Sequence, residues 1–214
     1  MRLIIKLMKR WVLLFGICLI YQFGYSQTLG IKSNVLYDAT STINLGVEFA
    51  LSEKWTLDIS GNYNPWAFPQ QKINSSKVVI SEHDAIMKHW MVQPEIRRWF
   101  CESFNGHFVG LHAHGGQFNV GGLTFLPKEW GENGIQRKRF QGWLAGGGVS
   151  YGYHWILSSR LSLEFSLGVG YTFMKYEKYN HYADNEPTQL DRNHYKMRYI
   201  GPTKAGISVI VMLY

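Results

Sequence analysis

Long apolar runs, cysteine pairs and charge are all scarce in this chain of 214 residues. The longest mainly apolar run, Trp11–Tyr21, is half the roughly 20 residues a membrane-spanning helix needs, which excludes a helical span. Cysteine occurs only at Cys18 and Cys101. Cys18 lies inside the apolar run without the small residues that precede a lipidated cysteine, so a lipoprotein is not predicted. Once that segment is removed, Cys101 stands alone, which excludes an internal disulfide. It is predicted to be a turn residue. Charged residues make up only 17% of the chain. The net charge of +7 falls to +3 without Arg2, Lys6, Lys9 and Arg10, since 18 bases then face 15 acids. That excess is too small to predict nucleic-acid binding.

The N-terminus itself is informative. Met1–Arg10 is basic, Trp11–Tyr21 is apolar, and Gly24 and Ser26 are small residues ahead of Gln27. This order predicts a cleaved secretory signal peptide over residues 1–26 and one mature domain over 27–214. The chain as a whole is rich in glycine, with 22 residues, and in aromatics, at 15%.

Alternation by twos dominates the mature chain. From Arg160 to Tyr176, Leu161, Leu163, Phe165, Leu167, Val169, Tyr171 and Phe173 share one parity, while Ser162, Glu164, Ser166, Gly168, Gly170 and Thr172 share the other. A strand puts these sets on opposite faces; a helix would scatter them. Eight such strands are predicted, at about Thr28–Tyr37, Ile43–Leu51, Lys54–Asn64, Lys88–Phe100, His107–Phe118, Phe140–Trp155, Arg160–Tyr176 and Tyr199–Tyr214. Pro94 donates no ladder hydrogen bond, so a bulge is expected there. Short turns follow strands two, four and six. Long polar stretches, Pro65–Met87, Asn119–Arg139 and Glu177–Met197, follow strands three, five and seven. The first connection, Asp38–Thr42, is short and breaks that rule. Exported all-β chains with this asymmetry close into transmembrane barrels, with short periplasmic turns and long outer loops. The fold expected is therefore all-β: an eight-stranded antiparallel transmembrane β-barrel, an up-and-down meander with both mature termini in the periplasm.

The polar face decides which side meets lipid. It is dominated by small residues such as Gly46, Ala50, Ser60, Gly110, Gly146, Gly148 and Gly152, which suit the narrow interior of eight strands. Its charges are Lys32, Glu48, Asp58, Glu95, Arg97, Glu164 and Lys204, four acids and three bases. They are predicted to pair in the lumen, since an isolated buried charge is expensive. Trp55, Tyr63, Trp143, Tyr151, Trp155, Tyr171 and Phe173 are predicted to form the aromatic girdle of the apolar face. Trp55 and Tyr63, eight residues apart on one tilted strand, span roughly 20 Å of height, close to the ~25 Å apolar band of such barrels.

The segments NVLYDAT (Asn34–Thr40), LDISGNYNPW (Leu57–Trp66), the block His89–Gly122, GGGVSYGYHW (Gly146–Trp155) and GPTKAGIS (Gly201–Ser208) resemble a domain-of-unknown-function family of small outer-membrane β-barrels from Bacteroides-type bacteria. More broadly the chain is similar to OmpA/OmpX-type barrels. The resemblance implies no activity. Members tend to be encoded near surface-fimbria components, which implies a role in fimbria assembly or anchoring. The terminal Tyr214 resembles the C-terminal aromatic read by the barrel-assembly machinery. That likeness turns Ile210, Met212 and Tyr214 toward lipid, whereas parity from Thr203 to Val209 prefers the other face. A bulge near Gly206 would reconcile the two.

Chemical constellations are few. His112 and His114 share a strand face at a spacing that lets two imidazoles reach one metal, with His89 and Glu95 as further donors. Lumen histidines bonded to nearby acids are the plainer expectation, and no metal or cofactor is predicted. A lipid-modifying enzyme would need His, Ser and an acid together at one rim of the lipid face. That face offers only His107 and Ser33, with no acid beside them, so no enzyme is predicted. The long loops carry Trp66, Phe68, Trp130, Tyr179, His181 and Tyr182 among mixed charges, plausible contact groups. Arg137, Lys138, Arg139, Lys175 and Lys178 sit near the outer rim, within reach of lipopolysaccharide head groups. The expected function is a monomeric, non-enzymatic scaffold or surface-interaction protein of a Gram-negative outer membrane. Its expected partners are membrane lipid, lipopolysaccharide, the assembly machinery and surface or fimbrial proteins. A lipid-modifying enzyme, a narrow channel and a soluble lipocalin-like barrel are the alternatives.

Overall fold

The computed structural model describes residues 29–68, 85–121, 138–180 and 190–213. The segment expected to be a signal peptide, residues 1–26, and Trp130, Arg137, His181, Tyr182 and Tyr214 lie outside these residues. The described chain is all-β apart from one turn of helix. Its elements are β1 (Leu29–Asn34), α1 (Val35–Asp38), β2 (Ile43–Ser52), β3 (Trp55–Asn64), β4 (Ala67–Phe68), β5 (Ala85–Trp99), β6 (Gly106–Gly121), β7 (Lys138–Ile156), β8 (Leu161–Asn180) and β9 (Leu190–Leu213). Every neighbouring pair is antiparallel, β1 pairs with β9, and β3 pairs with β5, so eight strands form a closed ring of hydrogen bonds. The two-residue β4 only extends the line of β3 along β5.

One circuit of the ring defines its slant. Met212 pairs with Gly30, which leads through Glu48, Asp58, Glu95, His112, Gly148 and Gly170 back to β9 at Gly201. Met212 and Gly201 are eleven positions apart, one of which is the extra residue of a register shift at Thr203. The strands are therefore strongly staggered, as closure of a twisted sheet requires.

Several expected boundaries move. The first strand stops at Asn34 instead of Tyr37, because Asn34 Oδ1 accepts from the Leu36 amide at 3.1 Å and caps α1. Val35 and Tyr37 consequently leave the strand alternation. The bulge expected at Pro94 does not form. Pro94 pairs with Ile59, and the ladder to β6 merely lapses at Gln93 and Pro94, resuming in register at Glu95. The bulge expected near Gly206 lies at Thr203 instead, and Ile210 and Met212 are buried inside rather than turned outward. The last strand begins at Leu190, so part of the third long polar stretch is strand.

The core sits at the short-turn end of the ring. Trp99, Phe104, Phe108, Ile210 and Met212 are the buried large hydrophobics there. Phe104 comes from the turn after β5, at φ 62°. This left-handed conformation is unusual for a residue with a side chain. The turn directs its ring inward against Trp99, with centroids 5.9 Å apart. Among the described residues, these five buried side chains contrast with 33 exposed large hydrophobics, so most apolar surface points away from the ring.

Candidate functional site

Directly inside the apolar core lies a charged layer. Glu48, Asp58 and Glu95 are cross-strand neighbours in one inward row. Like charges directly opposite one another destabilise a strand pair, so the row needs cations. Arg97 supplies most of them. Its Nη1 donates to Glu48 Oε2 at 2.6 Å and to Glu164 Oε2 at 2.7 Å. Its Nη2 donates to Asp58 Oδ2 at 3.0 Å, Glu95 Oε2 at 3.1 Å and Glu164 Oε1 at 3.1 Å. The two bonds to Glu164 form the parallel fork that guanidinium geometry favours. Lys32 Nζ lies 3.0 Å from Glu48 Oε2 and 2.9 Å from Asp58 Oδ2. Lys204 donates to Glu95, with Asp58 4.0 Å away.

All seven charged residues predicted for the polar face are thus brought into one connected layer, essentially shielded from solvent. Glycine makes the room. A Cβ at Gly110 would overlap Glu95 Oε1 and Ser150 Oγ, which are themselves hydrogen-bonded. The layer is also tied to the core below. Trp99 Nε1 donates to Thr56 Oγ1 at 2.9 Å, and that hydroxyl donates to Glu48 Oε1 at 2.5 Å. Arg97 Cζ lies 4.4 Å from the Phe108 ring centroid, a cation–π contact.

Sequence reasoning missed this relay, the apolar core and His154. Trp99, Phe108 and His154 occupy inward positions on the strands, so their parity was the available signal. Phe104, on a turn, left none.

The paired histidines point inward but are engaged separately. His112 Nε2 lies 2.9 Å from Thr203 Oγ1, and His114 Nε2 lies 2.8 Å from Thr172 Oγ1. Their rings are 5.9 Å apart, and no group of three metal-ligating side chains forms among the described residues. His89 is half-buried further along β5.

The expectation of no acid beside Ser33 is corrected. The turn of α1 brings Asp38 back, and Ser33 Oγ donates to Asp38 Oδ2 at 2.7 Å. His107 is four strands away in the ring order and instead shares a 2.7 Å hydrogen bond with the Tyr151 hydroxyl. The serine, acid and histidine therefore do not meet.

Outward positions carry the aromatics. Trp55, Tyr63, Trp143, Tyr151, Trp155 and Tyr171 are exposed, and Phe173 is half-buried against Trp143 at 5.6 Å. Of the predicted loop and rim groups, Trp66 donates from Nε1 to the Ser41 carbonyl at 2.8 Å. Arg139 Nε donates to Asn119 Oδ1 at 2.6 Å, and Lys178 lies over the Phe140 and Tyr195 rings. Cys101 is a free, exposed thiol in the β5–β6 turn.

Two cavities lie toward the long-connection end, the smaller against the charged layer and the larger clear of it. A small one of about 20 Å³ touches Asp58, Gln93 and Arg97. A larger one of about 690 Å³ is walled by β3, β5, β6, β7, β8 and β9.

A closed antiparallel meander with charge inside and apolar side chains outside defines the class of this protein. The chain belongs to the family described as "Protein of unknown function (DUF3575)", whose model matches residues 11–213. No curated protein matches it.

Proposed function

We propose that this chain is an outer-membrane β-barrel, exported by a signal peptide over residues 1–26, that serves as a non-enzymatic, non-conducting scaffold. Its long outer connections present the surface that meets partners, lipopolysaccharide and surface or fimbrial proteins among them. The observation that carries this reading is the inverted polarity. Seven charged side chains are shut inside, while Leu45, Leu111, Leu167 and Val149 stand 56–62% exposed on the outer face. A water-soluble barrel of the same strands would expose contiguous apolar patches far beyond what soluble monomers tolerate. In lipid, that face is the favourable one, and a closed ring leaves no unpaired edge in the hydrocarbon.

Two features favour a plugged interior over a channel. The apolar core fills the short-turn end, and the described cavity beside the ion network measures only about 20 Å³. A structural role follows from the network itself, which rigidly cross-links β1, β2, β3, β5, β8 and β9 through the lumen.

Cell fractionation with unboiled and boiled gel samples tests the reading. The expected result is a compact, heat-sensitive band in the outer-membrane fraction with no steady conductance in planar bilayers. A soluble periplasmic protein without that band would overturn it.

A further inference from the structure

We propose that the outer surface of β8 and β9 at the long-connection end binds the phosphate of an outer-leaflet glycolipid, of the lipopolysaccharide class, through Lys175, Lys196 and Arg198. This rests on the membrane reading above. Lys175 and Lys196 are direct cross-strand partners, and Phe173 pairs with Arg198 one turn of alternation further along the same face. Three cations therefore crowd two adjacent strands, an arrangement that repels itself.

Inside the ring the equivalent crowding of Glu48, Asp58 and Glu95 is answered by Lys32, Arg97 and Lys204. Outside, no described residue answers it. Lys175, Lys196 and Arg198 have no ion pair or hydrogen bond among the described residues. Glu177, two positions from Lys175, is engaged by His194 Nδ1 at 3.1 Å. Among the described residues these three cations have no complement, and an external anion would supply one.

The neighbours indicate what carries that anion. Trp143 pairs with Lys175 across β7 and β8, and it packs on Phe173. Ile200, the next outward residue after Arg198, is 83% exposed. The cations therefore border an apolar and aromatic strip. A phosphate attached to acyl chains satisfies both parts, with the phosphate on the cations and the chains along Trp143 and Ile200. Inorganic phosphate satisfies only the first. Charge-assisted bonds of this kind are among the stronger polar contacts.

The test uses the full mature chain folded in neutral detergent and titrated with lipid A, phosphorylated or enzymatically dephosphorylated, with binding read by native mass spectrometry. A variant carrying K175Q, K196Q and R198Q is compared with one carrying K54Q and R160Q at the opposite end. Retention of the heat-sensitive band shows that each variant is folded. The expected result is a loss of about tenfold or more in affinity for phosphorylated lipid A in the triple variant alone. Dephosphorylated lipid A should bind weakly to both. Equal binding by wild type and triple variant, equal binding of the dephosphorylated form, or equal competition by inorganic phosphate or phosphatidylglycerol vesicles would overturn the proposal. Failure of the membrane reading would instead appear as loss of the heat-sensitive band in the wild type.

Discussion

At the short-turn end the inward positions carry Trp99, Phe108, Ile210 and Met212; a step further in they carry Arg97, Glu48, Asp58 and Glu95. Both layers are buried, and both fill the same narrow ring. The apolar layer needs only shape, since its side chains have no hydrogen-bond debts apart from the Trp99 indole. The charged layer is stable only as a set. Remove one apolar side chain and a cavity results; remove one cation and the carboxylates it held are left buried together. The two layers should therefore fail in different ways.

The largest effect is expected at Arg97, which touches all four acids. Arg97→Met keeps volume but strands those carboxylates, at a cost of about 3–5 kcal/mol or more. The temperature at which the compact gel band disappears should fall sharply. Arg97→Lys should recover only part of it, since an ammonium cannot make the fork to Glu164. Next comes Phe108→Ala, expected to destabilise by about 3–4 kcal/mol through a cavity beneath Arg97. Urea unfolding in detergent or vesicles should show the loss, and Phe108→Leu should restore most of it. If Arg97→Met were no worse than Phe108→Ala, the distinction between the layers would collapse.

A third substitution sharpens the contrast with the outer face. Leu111 is 62% exposed on β6. Leu111→Arg should cost about 2–4 kcal/mol if that face lies in hydrocarbon, but little if it lies in water. The smallest expected effect is at Gly110, where an added Cβ meets Glu95 and Ser150. Gly110→Ala should cost about 1–3 kcal/mol by overpacking, with the band temperature as the readout.

Much of this architecture was legible because a strand repeats every two residues. Glu48, Asp58, Glu95, Arg97 and Glu164 occupy the parity of the small residues, so a single rule placed them on one face. What parity cannot convey is where a chain stops obeying it. The Asn34 cap ends β1 early and turns Asp38 back onto Ser33. The extra residue at Thr203 shifts β9 by one, which leaves Lys204, Ser208, Ile210 and Met212 inward. Phe104 enters the core from a turn with positive φ, and a turn has no period to read. The side-chain relay from Trp99 through Thr56 to Glu48 depends on rotamers, which alternation does not encode.

The proposed role requires that the outer face of this ring meet lipid. Quenching of tryptophan fluorescence by brominated phospholipids, with the protein folded into vesicles, tests it most directly. Trp55, Trp90, Trp143 and Trp155 are all exposed on that face. A lipid-covered face gives strong quenching by the brominated lipid and weak quenching by aqueous iodide. Strong iodide quenching with no response to the brominated lipid would contradict it.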